Sequence, residues 1–194
     1  MENRILIIGD ELLGSHGEAA TRCVELLLCR MPNRPIQFSV NAPALTSTKQ
    51  LIARASSDII GKKAGRIVFG LGLNDFRQNR GDASVVGETY QEMADEILKK
   101  TFSQLFFLTI PVDFLPEIPD QVEIFNERVR GFASLSEERV RIMDFAKHVE
   151  RFKEMQVERG KFARSLFSED AKPTSLCITL LSLFMQDCIL ETIK

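Results

Sequence analysis

The feature that most constrains the fold is a run of aliphatic residues, Ile5 to Ile8, that leads directly into Gly9. A strand that is apolar at every position is buried on both faces, as the strands of parallel sheets are. A glycine at its end permits a tight turn. The start of the chain therefore predicts a central strand of an α/β sheet, followed by a loop in which such proteins place functional residues.

Strand and helix patterns alternate along the whole chain. Strand-like apolar runs occupy residues 5–8, 36–40, 66–71, 105–110 and 139–145, and helical spacing of apolar residues occupies 18–29, 48–60, 85–100, 121–132 and 175–193. Ser47 or Thr46 is a suitable N-cap for the second of these helices. The alternation predicts an α/β three-layer sandwich with a five-stranded parallel sheet. Without an internal repeat or linker, residues 1–194 are expected to form a single domain.

The composition favours a water-soluble globular protein. Hydrophobic residues make up 44% of the chain and charged residues 27%, with a net charge of −2. A chain with this charge and no basic block is not expected to bind nucleic acid. No signal peptide and no membrane span is recognisable in the sequence, so a cytoplasmic location is expected.

The cysteines and histidines give no indication of a metal or redox site. The four cysteines, Cys23, Cys29, Cys177 and Cys188, have no zinc or redox spacing, so we expect buried, reduced thiols. The two histidines are far apart in the sequence and lie near no cysteine cluster. We therefore expect no metal site and no cofactor.

Three loops at the carboxyl ends of the predicted strands, residues 9–14, 41–47 and 70–75, are the expected location of a ligand site. They resemble the sequence blocks of the SGNH (GDSL-type) hydrolases, a family of flavodoxin-like esterases, lipases and carbohydrate deacetylases. The first block of that family, GDSL, is here Gly9-Asp10-Glu11-Leu12, with Glu11 at the serine position. The second is similar to residues 40–46, with Thr46 in place of the oxyanion-hole glycine.

The two later blocks of the family also have counterparts. Residues 72–75 match the GxND block intact and include Asn74. The DxxHP block is similar to residues 169–173, where Glu169 takes the aspartate position and Lys172 the histidine position. Asn126 matches a further family habit, an asparagine early in the helix before the last strand. Four blocks in the correct order make the resemblance extend over nearly the whole chain.

The resemblance implies a role for each of these positions. Glu11, Lys172 and Glu169 occupy the positions of the catalytic triad, and Thr46 and Asn74 those of the oxyanion hole. The family also implies that four loop residues brace the site, namely Gly9, Asp10, Gly72 and Asp75.

Serine-triad chemistry cannot operate with these side chains. Glu11 has no hydroxyl, and a protonated lysine has no lone pair with which to accept a proton. Because the serine and histidine side chains meet in the family fold, we expect Glu11 and Lys172 to form an ion pair, with Glu169 as a second partner of Lys172.

Two functions follow from this altered site. The first is a catalytically degenerate protein, a pseudoenzyme that binds a small ester or carbohydrate ligand or a protein partner, or acts as a scaffold. The alternative is a divergent hydrolase of esters or acylated carbohydrates. In that case Glu11 would act as a general base on water or Lys172 would polarise a carbonyl, while Asn74 binds the oxyanion. The sequence leaves the oligomeric state open.

Overall fold

A five-stranded sheet forms the centre of the molecule. The computed structural model describes residues 4–43, 47–79, 81–158, 165–168, 170 and 172–193. The strands are β1 (Arg4–Gly9), β2 (Gln37–Asn41), β3 (Arg66–Gly70), β4 (Gln104–Leu108) and β5 (Val140–Met143). They are all parallel and lie in the order β2-β1-β3-β4-β5. This confirms the predicted α/β class and the five-stranded parallel sheet.

Helices connect the strands. They are α1 (Glu18–Arg30), α2 (Thr48–Ala53), α3 (Ala55–Asp58), α4 (Leu73–Gln78), α5 (Ala83–Lys100), α6 (Pro119–Gly131), α7 (Phe145–Glu158) and α8 (Ser175–Leu190). Helix α1 packs against α8, and α5 packs against α6 and α2. Residues 5–8 of β1 are at most 1% exposed, so the sheet is covered on both faces, and the two helix groups form the outer layers of a three-layer sandwich.

The predicted helix over residues 48–60 is interrupted. Arg54 ends α2 with φ −111° and ψ 12°, outside the helical region. The chain continues through the four residues of α3 into a single 3₁₀ turn, Ile60–Lys62, which closes with Lys63 at φ 50°. A positive φ ends helical geometry. This segment therefore turns into β3 instead of continuing as one helix.

Two helices were not predicted. Helix α4 is a short helix that follows Gly72, and α7 begins at Phe145, within the range predicted for the fifth strand. Both helices place apolar side chains in the core. These are Leu73 and Phe76 from α4, and Phe145 and Val149 from α7. Burial of these side chains stabilises helices too short or too polar overall to be recognised easily from the sequence.

The fourth strand ends two residues earlier than predicted, but its hydrogen bonding continues. The side chain of Asn126 in α6 accepts a hydrogen bond from the backbone N–H of Ile110 at 2.8 Å and donates one to the Ile110 carbonyl at 2.8 Å. Asn126 is fully buried. Its amide thereby fixes the chain that leaves β4 at the carboxyl end of the sheet.

Candidate functional site

The turn after β1 depends on close contact with the end of β3. Gly9 lies opposite Gly70 in the parallel register. A Cβ atom added to Gly9 would lie 2.3 Å from Leu13 Cδ1 and 2.9 Å from the Gly70 carbonyl oxygen. Only glycine fits here, and Leu13, from the 3₁₀ turn Glu11–Leu13, fills the space instead.

Asp10 links two loop segments through the three hydrogen bonds of its buried carboxyl group. Oδ1 accepts a hydrogen bond from the backbone nitrogen of Leu12 at 2.9 Å. Oδ2 accepts hydrogen bonds from the backbone nitrogens of Gly72 at 3.0 Å and Asn74 at 3.1 Å. The turn after β1 and the start of α4 are therefore held together by one side chain that is 0% exposed.

The environment of Asp10 also changes its protonation. Burial raises the pKa of the Asp10 carboxyl to about 7, and the nearby Asp75 adds to this, while the three backbone N–H groups act in the opposite direction. Asp10 is therefore a titratable group at the centre of the site.

Asp75 connects α4 to the start of α2. Its carboxylate accepts hydrogen bonds from the Thr48 backbone nitrogen at 2.9 Å and from Thr48 Oγ1 at 2.8 Å. Burial raises the pKa of Asp75, and the hydrogen bonds from Thr48 oppose that shift. Ser47 forms a capping box with Gln50, so it is the N-cap. Thr46, the predicted oxyanion-hole counterpart, lies outside the described residues.

Gly72 turns the chain from β3 into α4. Its φ is +128°, and a Cβ atom there would lie 2.8 Å from Ile110 Cδ1. This turn places Asn74 in the first turn of α4 with its backbone N–H on Asp10, and Asn74 is only 3% exposed. The block that resembles GxND thus brings Asn74 beside the turn that carries Glu11.

The side chain that meets Glu11 is Arg77. Arg77 Nη1 lies 2.6 Å from Glu11 Oε2, and the two side chains are 50% and 32% exposed. The same Nη1 atom donates a longer hydrogen bond, 3.4 Å, to Asn74 Oδ1. Glu11, Asn74 and Arg77 therefore form one polar cluster at the carboxyl ends of β1 and β3.

The expected ion pair between Glu11 and Lys172 is not found. In the described part of the chain no Lys172 nitrogen lies within 4.0 Å of a Glu11 oxygen, and Glu11 is paired with Arg77 instead. Lys172 is exposed, and its backbone bonds to Ser168. The arginine has the advantage of proximity, because α4 begins beside the Glu11 turn. Glu169, the expected second partner of Lys172, lies outside the described residues.

Sequence reasoning missed Arg77, although one signal was available. Arg77 follows Asn74 by three residues, and residues three apart lie on the same face of a helix. Recognising α4 as a helix would have placed Arg77 beside Asn74, and therefore beside the Glu11 turn.

The cysteines differ from one another in exposure. All four are free thiols; Cys23 and Cys177 are buried, Cys188 is half-buried, and Cys29 is exposed, which corrects the expectation that all would be buried. Burial raises the pKa of Cys23 to about 12. In the ranges that the structure describes, no three His, Cys, Asp or Glu side chains are grouped so as to hold a metal ion, and no helix is long and apolar enough to cross a membrane.

With its sheet order and its polar cluster at the carboxyl ends of β1 and β3, the chain has the fold of the SGNH (GDSL-type) hydrolases. An alpha/beta hydrolase enzyme from the metagenome of Lake Arreo in Spain superposes with a TM-score of 0.75 at 14% identity, covering 97% of this chain and 94% of that one. An acetylxylan esterase from Geobacillus stearothermophilus gives 0.75 at 14% identity, covering 95% and 93%.

A third solved structure extends the similarity to a protein named for the GDSL motif. A member of the lipolytic protein G-D-S-L family from Veillonella parvula superposes with a TM-score of 0.71 at 16% identity, covering 95% of this chain and 96% of that one. No protein-family model matches the sequence, and no curated protein matches it. At these identities the comparisons establish the fold.

Proposed function

We propose that this chain is a degenerate member of the SGNH hydrolase family, which has lost serine-dependent ester hydrolysis and binds a small ester or carbohydrate ligand at the carboxyl ends of β1 and β3. Two independent observations support family membership. The four sequence blocks occur in family order, and an acetylxylan esterase and a member of the lipolytic protein G-D-S-L family have a similar fold over nearly the whole chain.

The observation that carries the proposal is the Glu11–Arg77 contact. By the resemblance of residues 9–12 to the GDSL block, Glu11 stands at the position of the nucleophile, and its Oε2 lies 2.6 Å from Arg77 Nη1. A carboxylate with a charge-assisted hydrogen bond to arginine is a poor substitute for an activated hydroxyl. The segment that resembles the DxxHP block contains no histidine, because Lys172 stands at the position of the family's catalytic base.

The same cluster offers hydrogen-bond donors to a ligand. Among the described residues every hydrogen bond from Arg77 runs through Nη1, so Nε and Nη2 have no protein acceptor. Half of the Arg77 side chain is exposed. These donors suit an acyl carbonyl or a sugar hydroxyl, because a guanidinium presents its N–H groups in a fixed fork.

A two-part assay tests the loss of catalysis. The protein is incubated with p-nitrophenyl acetate and, separately, with a fluorophosphonate probe that labels activated serines. We expect neither turnover above the buffer rate nor labelling. Labelling of any serine would overturn the proposal. The triple substitution Glu11→Ser, Lys172→His and Glu169→Asp is the matched positive test, because labelling there would indicate that the family scaffold is otherwise intact.

Ligand binding is tested separately by calorimetry with acetylated xylo-oligosaccharide and with the same oligosaccharide after deacetylation. We expect binding that weakens about tenfold in Arg77→Ala, which corresponds to one charged hydrogen bond. Arg54→Ala is the control, because Arg54 is similarly exposed but lies at the end of α2. Equal weakening in both variants would contradict binding through this cluster.

The divergent-hydrolase alternative predicts a different pattern. Turnover of the ester that disappears in both Glu11→Gln and Lys172→Ala, without serine labelling, would favour a rebuilt active site. The proximity of Asn74 and Arg77 to Glu11 is the feature that such a site would use, since both could donate to an oxyanion.

A further inference from the structure

A fully exposed phenylalanine lies at the opposite end of the sheet from the candidate site. Phe102 joins α5 to β4 and is 100% exposed, the highest value among the described large apolar residues. Exposure of one apolar residue is ordinary, but complete exposure of an aromatic ring is uncommon in a water-soluble protein.

The backbone on either side of Phe102 is fixed. The Thr101 carbonyl accepts a hydrogen bond from Arg139 Nη2 at 2.6 Å, and the Ser103 carbonyl accepts one from Arg139 Nε at 3.3 Å. Ser103 Oγ donates to the carbonyl of Ala64 at 2.7 Å, which ties this loop to the one before β3. The ring is therefore held outward by an anchored loop.

Four exposed lysines occur in the two loops at this edge; Lys63 and Lys100 line the same cavity as Phe102, and Lys62 and Lys99 adjoin them in the sequence. Lys99 and Lys100 end α5, and Lys62 and Lys63 precede β3, the strand next to β4. Lys100 pairs with Glu96 at 2.7 Å, whereas the other three have no salt bridge to any described acidic residue. This edge is therefore positively charged in a chain whose net charge is −2.

A cavity of about 690 Å³ is lined by residues of both lysine-bearing loops. Its apolar lining comes from Ile59, Ile60, Ala64 and Phe102, and Lys63 and Lys100 line it as well. An apolar recess edged by ammonium groups is complementary to a molecule with an acyl part and an anionic part.

We propose that this edge, formed by Phe102 and the four lysines, docks on an anionic lipid surface. Phenylalanine inserts at the boundary of headgroups and acyl chains, and the lysines lie against the lipid phosphates and carboxylates. Peripheral binding generally needs two such signals together, and both occur here.

The residue types favour lipid over a protein partner. Lysine is depleted in protein–protein interfaces, where arginine, tyrosine and tryptophan predominate. Its ammonium is a hydrated point charge that needs no fixed geometry, which suits a diffuse layer of headgroups. The docking edge lies at the amino ends of β3 and β4, so a bound membrane would leave the Glu11 cluster uncovered.

Vesicle sedimentation of the full chain tests the proposal, using phosphatidylcholine alone and phosphatidylcholine with about one third phosphatidylserine. We expect binding only to the second vesicles, weakening as salt is raised. Phe102→Ser should weaken binding about tenfold, and the double variant Lys62→Glu with Lys63→Glu should weaken it at least about tenfold.

Matched controls change the same residue types elsewhere. Ile124→Ser removes an apolar side chain that is 55% exposed on α6, and Lys49→Glu with Lys147→Glu reverses two exposed charges. Neither should alter vesicle binding by more than about twofold, since neither lies at the docking edge. Melting temperatures confirm that each variant is folded.

Three outcomes would overturn the proposal: no binding to anionic vesicles, equal binding to both vesicle types, or losses in the controls as large as in the test variants. Binding of soluble polyglutamate without binding of vesicles would likewise overturn it and would indicate an acidic protein partner.

Discussion

The Oδ2 atom of Asp10 lies 3.1 Å from the backbone nitrogen of Asn74, and this hydrogen bond joins the turn after β1 to the first turn of α4. The same oxygen holds Gly72. Gly72 and Asn74 thus share one buried acceptor that lies far from both of them in the sequence. The position of Asn74 relative to Glu11 consequently depends on Asp10, although Asp10 itself is fully enclosed.

The first prediction concerns pH. Burial raises the pKa of Asp10 to about 7 in the folded chain, whereas an unfolded aspartate titrates near 4. Between about pH 4 and pH 7 Asp10 is therefore protonated in the folded state and ionised in the unfolded state. Its contribution to the free energy of unfolding is complete below about pH 4 and is lost as the pH rises to about 7.

The measurement is urea unfolding of the wild type and of Asp10→Asn across this range. The difference in their free energies of unfolding isolates Asp10 from His148, whose pKa is lowered by burial and whose contribution therefore has the opposite sign. A difference that does not change with pH would mean that the three N–H donors keep Asp10 ionised.

The second prediction concerns Gly72. Gly72→Ala should lower the free energy of unfolding by about 1–3 kcal/mol, because the residue has φ +128° and the new methyl would meet Ile110 at 2.8 Å. Gly131→Ala is the control, since among the described residues no side chain and no backbone atom outside its own helix and its chain neighbours lies within 4 Å of its Cβ position, and its φ is −62°. That control should be neutral or stabilising by up to about 1 kcal/mol. Equal effects of the two substitutions would refute the strain argument.

The third prediction concerns Arg130, which binds three carboxylates near the ends of β4 and β5. Its Nε and Nη2 reach Asp144 at 2.9 Å and 3.1 Å, and its Nη1 reaches Glu123 at 2.5 Å and Glu127 at 2.7 Å. Arg130→Met should lower the free energy of unfolding by about 2 kcal/mol, because only a quarter of the Arg130 side chain is exposed and Asp144 loses its two hydrogen bonds from the guanidinium.

A pH measurement distinguishes this network from simple packing. Although burial opposes it, hydrogen bonds from Arg130 and Thr109 lower the pKa of Asp144. Its stabilising contribution is present above the unfolded value and is lost as pH falls through the folded one. In Arg130→Met the free energy of unfolding should decrease less as the pH falls. Arg54→Met, which removes a more exposed ion pair, should leave this pH dependence unchanged.

The fourth prediction concerns Glu11 and Arg77. A double-mutant cycle with Glu11→Gln and Arg77→Ala should give a coupling below about 1 kcal/mol, because the pair is substantially exposed. The Glu96–Lys100 pair is a matched control, with nearly the same exposures and a distance of 2.7 Å. If the coupling energy between Glu11 and Arg77 were several times larger than that of the control pair, the Glu11–Arg77 pair would stabilise the fold and would not serve ligand binding alone.

Most of the sheet could be predicted from the sequence, because its central strands are continuous apolar runs. Residues 5–8 and the segment before Pro111 have no other reasonable interpretation in an alternating chain. Helix α7 was not predicted, although Phe145, Val149 and Phe152 have helical spacing, because Phe145 was assigned to the strand before it and no element was assigned to the residues after it.

The partner of Glu11 could not be predicted in the same way. Its proximity to Arg77 follows from the pairing of Gly9 with Gly70, from the positive φ of Gly72 and from the hydrogen bonds of Asp10. These are contacts between distant segments, and residue type alone does not reveal them. Lys172 had the right charge, but the fold brings Arg77 to Glu11 instead.

Strand length in this sheet has a consequence for electrostatics. Strand β3 has five residues, which span about 17 Å at the usual rise per residue. The screening length in physiological salt is about 8 Å, so exposed charges at one end of β3 are barely felt at the other. The lysines before β3 and the Glu11–Arg77 pair beyond it are therefore electrostatically independent. A charge substitution at one end of β3 should leave binding at the other end unchanged.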